Sequence, residues 1–404
     1  MSRFFKRVIF VLSVAIFAAL GLGFGLGEFG LFGVHAGGDQ DGAYRQMRVY
    51  AEVLKKIQTD YVTEPNMGDV TTGALHGLLE TLDADSSYLT PAEYKLYKDH
   101  PAGGDAQVGL TVSKRGGYCV VVSVLPGSPA EKEHFSDGDF IESIGSQSTR
   151  ELSLAMIRAM LEGKPGSELT LSVIHPRKQQ QDTEKVSMTR VIPSIPNLGE
   201  QQYENSSILY LKPVVLTPAR VDQIASRLKA MAQNGNKKVL LDLRDVSGDD
   251  EAQGERLANF FLKQGTLATL AGQKFPTQTF TADPARFVTD APLAVLVNRG
   301  TAGAAELAAA ALADDKRADL VGERTFGEGA VQKTSELPSG AAVILTVATY
   351  SSPGGKKFLE DAVTPGIVVA LTPEQEAEED EAGGAPKADA PLNKALEVLK
   401  AKAA

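Results

Sequence analysis

The chain has 404 residues, 43% of them hydrophobic and 23% charged, enough to build two or three packed cores rather than one. Its formal net charge of -10, with acids gathered near the C-terminus, leaves no basic stripe and excludes nucleic acid as an expected partner. A single cysteine, Cys119, excludes an internal disulfide and any cysteine-based zinc cluster.

Taken in chain order, Arg3, Lys6 and Arg7 precede an uncharged run at 8–27, close to the roughly 20 residues that cross a bilayer. Val34-His35-Ala36 ends in small residues, so residues 1–36 read as a retained signal anchor or a cleaved signal peptide. On either reading the rest of the chain is expected to be periplasmic or otherwise extracytoplasmic, with the membrane contacted through residues 8–27. Residues 44–104 predict a small helical unit. Val49, Val53, Leu54 and Ile57 form one stripe, and Leu75, Leu78, Leu79 and Leu82 another. Thr90 before Pro91 is a cap signal for a further short helix to about residue 98, and a Gly- and Asp-rich joint follows at 102–106.

Residues 105–192 change to short strands, at 108–112, 118–124, 140–144 and 169–173, with a helix at 152–161. Turns at Pro126-Gly127-Ser128-Pro129, Ser136-Asp137-Gly138-Asp139 and Gly163-Lys164-Pro165-Gly166 separate them. This order of strands and turns resembles an inserted PDZ β module of the kind found in bacterial proteases. The resemblance implies that the segment Val108, Gly109, Leu110 and Thr111 holds an incoming peptide by strand addition, its backbone N–H groups receiving a terminal carboxylate. Polypeptide C-terminal tails are then the expected partners.

Residues 193–372 alternate strands at 207–211, 238–243 and 294–297 with helices at 218–232, 252–263 and 304–313. Such alternation predicts a largely parallel α/β core with its site at the C-terminal ends of the strands. Residues 373–390 read as an acidic, disordered linker and residues 391–404 as a terminal helix.

The chemistry is expected where Val295-Leu296-Val297 leads through Asn298-Arg299-Gly300-Thr301-Ala302-Gly303 into the Ala-rich helix that starts at Ala304. Backbone N–H groups at a helix start lack intrahelical partners and favour a developing oxyanion. This text resembles the N-x-G-(S/T)-A-S-A-S-E segment of the C-terminal-processing (tail-specific) serine peptidases, family S41. Their nucleophilic serine falls on Gly303. The family's T-F-G-K-G-x-x-Q, whose lysine is the base, here reads Thr325-Phe326-Gly327-Glu328-Gly329-Ala330-Val331-Gln332, so the base falls on Glu328. The oxyanion loop D-L-R-x-N-P-G-G reads Asp242-Leu243-Arg244-Asp245-Val246-Ser247-Gly248-Asp249. Gly248 and Ala304 are the positions expected to frame the oxyanion hole.

The resemblance implies a crotonase- and ClpP-like α/β core, no cofactor and no metal. Further matches are Ser86-Ser87-Tyr88-Leu89-Thr90-Pro91 and Leu345-Thr346-Val347-Ala348-Thr349-Tyr350. With nucleophile, base and oxyanion loop all altered, the expected activity is peptide binding without peptidase chemistry, in the regulation or scaffolding of another protease or of envelope proteins. A site rearranged around Thr301 and a purely structural envelope protein are the alternatives. Thr301 also suits a turn or cap, Lys316 and Lys333 suit solvent, and Glu306 and Gln332 read equally as site residues or as retained polar groups.

Overall fold

The computed structural model describes residues 38–99, 106–176, 182–248, 250–369 and 389–403. The apolar run at 8–27, the joint at 102–105, residues 373–388, His35, His100 and Asp249 lie outside the described residues. Among the described residues no helix is long and apolar enough to cross a membrane. The chain divides into a unit ending at Val70 and a unit from Thr71 onward.

Among the described residues of the first unit is α1, Gly38–Asp60, which keeps Met47, Tyr50 and Val53 exposed. α2, Met67–Glu80, continues into the second unit. There β1, Ser87–Leu89, precedes α3, Pro91–Asp99. The Thr90 cap is reciprocal: the Thr90 hydroxyl accepts from the Glu93 N–H, and the Glu93 carboxylate accepts from the Thr90 N–H at 2.8 Å.

The β module follows, with β2 (Leu110–Arg115), β3 (Tyr118–Val124), α4 (Pro129–Lys132), β4 (Phe140–Ile144), β5 (Gln147–Ser148), α5 (Leu154–Leu161), β6 (Glu168–Ile174) and β7 (Glu184–Thr189). The sheet order is β2-β3-β4-β6-β7, so β2 is an edge strand. The edge strand begins two residues later than the sequence suggests. Val108 and Gly109 instead give their carbonyls to the Ala130 and Leu125 N–H groups, tying the loop to the turn around Ser128. β7 was not foreseen, because only its buried Val186 and Met188 carry an apolar signal.

The core begins with β8 (Gly199–Tyr203) and β9 (Ile208–Lys212), followed by α6 (Pro218–Ala230), β10 (Lys238–Asp242), α7 (Glu251–Asn259), β11 (Thr266–Ala271) and β12 (Gln278–Thr281). It continues with β13 (Leu293–Val297), α8 (Ala304–Asp314), β14 (Ala318–Gly322), β15 (Ala330–Glu336), β16 (Ala342–Ser351), α9 (Phe358–Asp361), β17 (Ile367–Val368) and α10 (Ala390–Ala401). One sheet, ordered β17-β14-β13-β10-β9-β8, is parallel except at the β8–β9 hairpin. Every residue of β10 and β13 is buried, as a parallel sheet covered on both faces requires. The expectation of a largely parallel core needs correction, because a second, antiparallel sheet joins β1, β16, β11, β12 and β15. Its outer strand β15 is mostly exposed, so it has no alternating apolar signature.

α6, α7 and α8 cover one face of the parallel sheet, and α10 covers the other over Ile208, Tyr210, Leu240 and Leu296. α10 is held at both ends. Asp389 caps it through the Leu392 N–H and pairs with Arg244 through two contacts of 2.9 and 2.8 Å. Lys238 donates to the carbonyls of Leu399 and Lys402 at the other end, where unpaired carbonyls attract a cation. The same Arg244 pairs with Asp242. Full burial alone would push the Asp242 carboxyl up, but that guanidinium holds it below the usual carboxylate range.

Candidate functional site

β13 ends at the centre of the parallel sheet, and the turn after it is fixed by side chains. Asn298 Nδ2 donates to Asp245 at 2.7 Å, while its Oδ1 accepts from the Asp245 and Gly300 N–H groups. The Thr301 hydroxyl donates to the Leu243 carbonyl at 2.8 Å and accepts from the Asn298 N–H at 3.0 Å. Thr301 is fully buried and holds the turn closed; it offers no exposed nucleophile.

Gly303 caps α8 with φ 57° and ψ -122°, the kind of strained strand-to-helix turn that elsewhere presents a nucleophilic serine. A side chain is excluded here by more than backbone strain. A Cβ built on Gly303 would lie 2.3 Å from the Gly248 carbonyl oxygen. The same carbonyl accepts a hydrogen bond from the Ala304 N–H at 3.0 Å, and the Val246 carbonyl accepts one from Ala302. The expectation that the N–H groups at this helix start point outward is therefore wrong at Ala304. Gly248 and Ala304, expected to frame an oxyanion hole together, bond to each other because the loop lies flat against the turn.

That loop is also held from the β module. Ser247 Oγ lies 2.6 Å from Ser123 Oγ and 3.1 Å from Thr111 Oγ1. Thr111, expected to serve the peptide groove, so engages its hydroxyl with the core. Val246 is buried, and Asp245 sits at φ 62°, a conformation that Asp tolerates better than most residues.

Glu328 is joined to the Gly303 turn through Glu306, in the first turn of α8. The Glu306 carboxylate accepts from the Gly327 N–H at 3.0 Å, the Glu328 N–H at 2.9 Å and the Thr325 hydroxyl. Of the two readings of Glu306, the structure supports the structural one: it clamps the loop at 325–328. Burial pushes its carboxyl up to about 7, against hydrogen bonds that favour the charged form.

The Glu328 side chain pairs with Arg158 of α5 at 3.1 Å, and Arg158 also contacts Asp85 at 3.2 Å and the Val112 carbonyl on β2 at 3.4 Å. A cavity of about 280 Å³ here is lined by Asp85, Arg158, Glu251, Glu328 and Gln332, among others. Gln332 is exposed on β15, while Lys316 and Lys333 are exposed as expected. Among the basic residues, sequence reasoning missed Arg158. Its partners lie 73 and 170 residues away in sequence, and no local pattern marks such a pair.

The arrangement supplies a clamped loop, an ion-paired carboxylate and a turn without a nucleophile. Val108 and Leu110 are buried, so the β2 edge would recognise a peptide through backbone groups.

A model of peptidase family S41 matches residues 208–369, and a PDZ-domain model matches residues 106–187. A carboxyl-terminal-processing protease of Picosynechococcus sp. is 32% identical over 305 residues, covering 74% of this chain and 72% of that protein. The chloroplastic carboxyl-terminal-processing peptidase 2 of Arabidopsis thaliana is 30% identical over 324 residues, covering 76% of this chain but 62% of its own length. Among solved structures, a photosystem II D1 C-terminal processing protease superposes with a TM-score of 0.66 at 24% identity, covering 86% of this chain and 98% of that one. That likeness is one of fold.

Installing the missing pair as a Gly303→Ser, Glu328→Lys double variant is expected to leave peptide cleavage absent and to lower the unfolding temperature. The first effect follows from the Gly248 carbonyl, the second from strain at 303. Turnover of an unstructured peptide by that variant, read by mass spectrometry, would contradict the closed loop.

A second expectation concerns pH. A carboxyl whose folded pKa, about 7, exceeds its unfolded value of 4.5 favours the protonated folded state. Its contribution to stability is therefore full below the unfolded value, falls as pH rises towards the folded value, and is constant above it. Urea unfolding at about pH 5 and about pH 8 should show wild type losing more stability across that interval than Glu306→Gln. Equal losses would show that Glu306 does not titrate as described.

Proposed function

Because the chain belongs to the carboxyl-terminal-processing peptidases of family S41, we propose that it is an exported member without peptidase activity, which binds polypeptide C-terminal tails through its PDZ domain. The observation that carries the reading is the closed turn, with glycine at 303 and the Ala304 N–H bonded to the Gly248 carbonyl. Removing the nucleophile from a serine peptidase costs on the order of a million-fold in turnover, and what remains comes from binding and the oxyanion hole. Here the donor of that hole is engaged as well.

Strand addition needs an edge and a loop that admits a terminal carboxylate. β2 ends its sheet, and Gly109 adopts φ 88° against Ser128. Export rests on Arg3, Lys6, Arg7 and the apolar run at 8–27. A protein that holds tails without cutting them suits the scaffolding or regulation of another protease, and envelope proteins are the expected clients.

The full-length chain should bind a fluorescent decapeptide with an apolar free C-terminus saturably, bind its amidated form at least roughly tenfold more weakly, and cleave neither. Gly109→Val, whose Cβ would meet Ser128 Cβ at 2.2 Å, should weaken binding of the free tail. Cleavage, or binding indifferent to amidation, would overturn the proposal.

A further inference from the structure

A second cavity, of about 290 Å³, opens where the PDZ module meets the loop at 325–327, and its charge is unlike that of the chain as a whole. Three guanidinium groups, from Arg115, Arg299 and Arg324, line it together with Phe326 and Phe358. Arg299 is balanced by Asp137 at 3.1 Å and Glu323 at 3.4 Å. Arg115 and Arg324 are not. Arg115 donates to the Phe326 carbonyl and stacks its guanidinium 4.3 Å from the centre of the Phe326 ring. Arg324 donates to the Asp361 carbonyl at 2.7 Å. Among the described residues neither forms an ion pair, so two positive charges flank an aromatic floor with only neutral oxygens as partners.

We propose that this cleft binds an acidic polypeptide segment, taking carboxylate side chains between Arg115 and Arg324. Guanidinium groups present fixed forks of donors that match a carboxylate, and Arg115 is held in place by its stacking. The volume lies just below the roughly 300–1,000 Å³ typical of ligand pockets, which suits one or two side chains from an extended segment. None of Val108, Gly109, Leu110 and Thr111 lines the cavity, so the site is separate from the strand-addition edge. It touches Thr325, Phe326 and Gly327, the loop clamped by Glu306, and so places an acidic ligand beside the altered site. A chain of net charge -10 repels acidic peptides in general, which makes their retention a specific signal.

The probe is fluorescein-labelled hexaglutamate with an amidated C-terminus, which removes the terminal carboxylate that the PDZ edge would read. Anisotropy with the full-length chain at low salt should show saturable binding that weakens as salt rises. It should become roughly tenfold weaker in an Arg115→Gln, Arg324→Gln variant and stay unchanged in Gly109→Val. Both arginines are exposed, so the double variant should fold, and its unfolding temperature checks this. If it does not fold, Arg324→Gln alone should still weaken binding measurably. Hexaglutamate binding no tighter than amidated hexaserine would overturn the proposal, as would binding that is indifferent to loss of Arg324. Because the probe lacks a free tail, failure of tail binding at the PDZ edge leaves this result standing, and the reverse also holds.

Discussion

The hydrogen bond from the Ala304 N–H to the Gly248 carbonyl is a single 3.0 Å contact, yet the rest of the site is arranged around it. The first N–H groups of a helix have no partner within the helix, and in a serine peptidase that vacancy can be used to stabilise an oxyanion. Here a backbone carbonyl fills it, and the same oxygen stands where a side chain at 303 would project. Glycine at 303 and closure of the donor are therefore one structural fact. A side chain there needs the loop at 246–248 to leave, and the loop is held by Val246 in the core and by Ser247 against Thr111 and Ser123 of the PDZ module.

The position where the resemblance places the family's base follows the same logic of a kept frame and a different residue. Glu306 fixes the loop at 325–328 by accepting backbone donors, a role that does not depend on the residue at 328. Glu328 then faces Arg158, which reaches across from the PDZ helix to Asp85 and to the open edge of β2. Arg158 holds Asp85 and Glu328 at once, so the three charges are best understood together. The interface between PDZ module and core thus includes polar contacts: the hydroxyls around Ser247, the Arg158–Glu328 and Arg299–Asp137 pairs, and the stacking of Arg115 on Phe326. It adjoins apolar packing in which Leu89, Ala342 and Ile344 join the module's own core.

Much of this was legible in the sequence where the physics is local. The cap at Thr90 needed only a hydroxyl three residues before a backbone donor, whereas those at Ser128, Ser153 and Thr217 came to light in the structure. The buried strands β10 and β13 appeared as continuous apolar runs, and the motifs around Gly303, Glu328 and Gly248 stood out by their resemblance to the family's motifs. The antiparallel sheet did not, since β15 is mostly exposed and β12 is short. Nor did the contacts that decide the site. The Ala304 to Gly248 bond depends on how two loops pass each other, and Arg158, Arg115 and Arg324 meet their partners through the tertiary fold, where sequence distance carries no signal. The reading that placed Gly303 and Glu328 at the family's serine and lysine positions also counted the oxyanion loop as altered, but it could not show that the Gly248 carbonyl takes the Ala304 donor.

Hydrogen exchange at the Ala304 amide in the full-length chain tests the closed turn most directly. As the first residue of α8, Ala304 has no intrahelical acceptor, so strong protection must come from outside the helix. Bonding to Gly248 predicts exchange slowed by several orders of magnitude relative to an unstructured peptide; exchange near the unprotected rate would mean that the donor is open and the site is not closed by its own backbone.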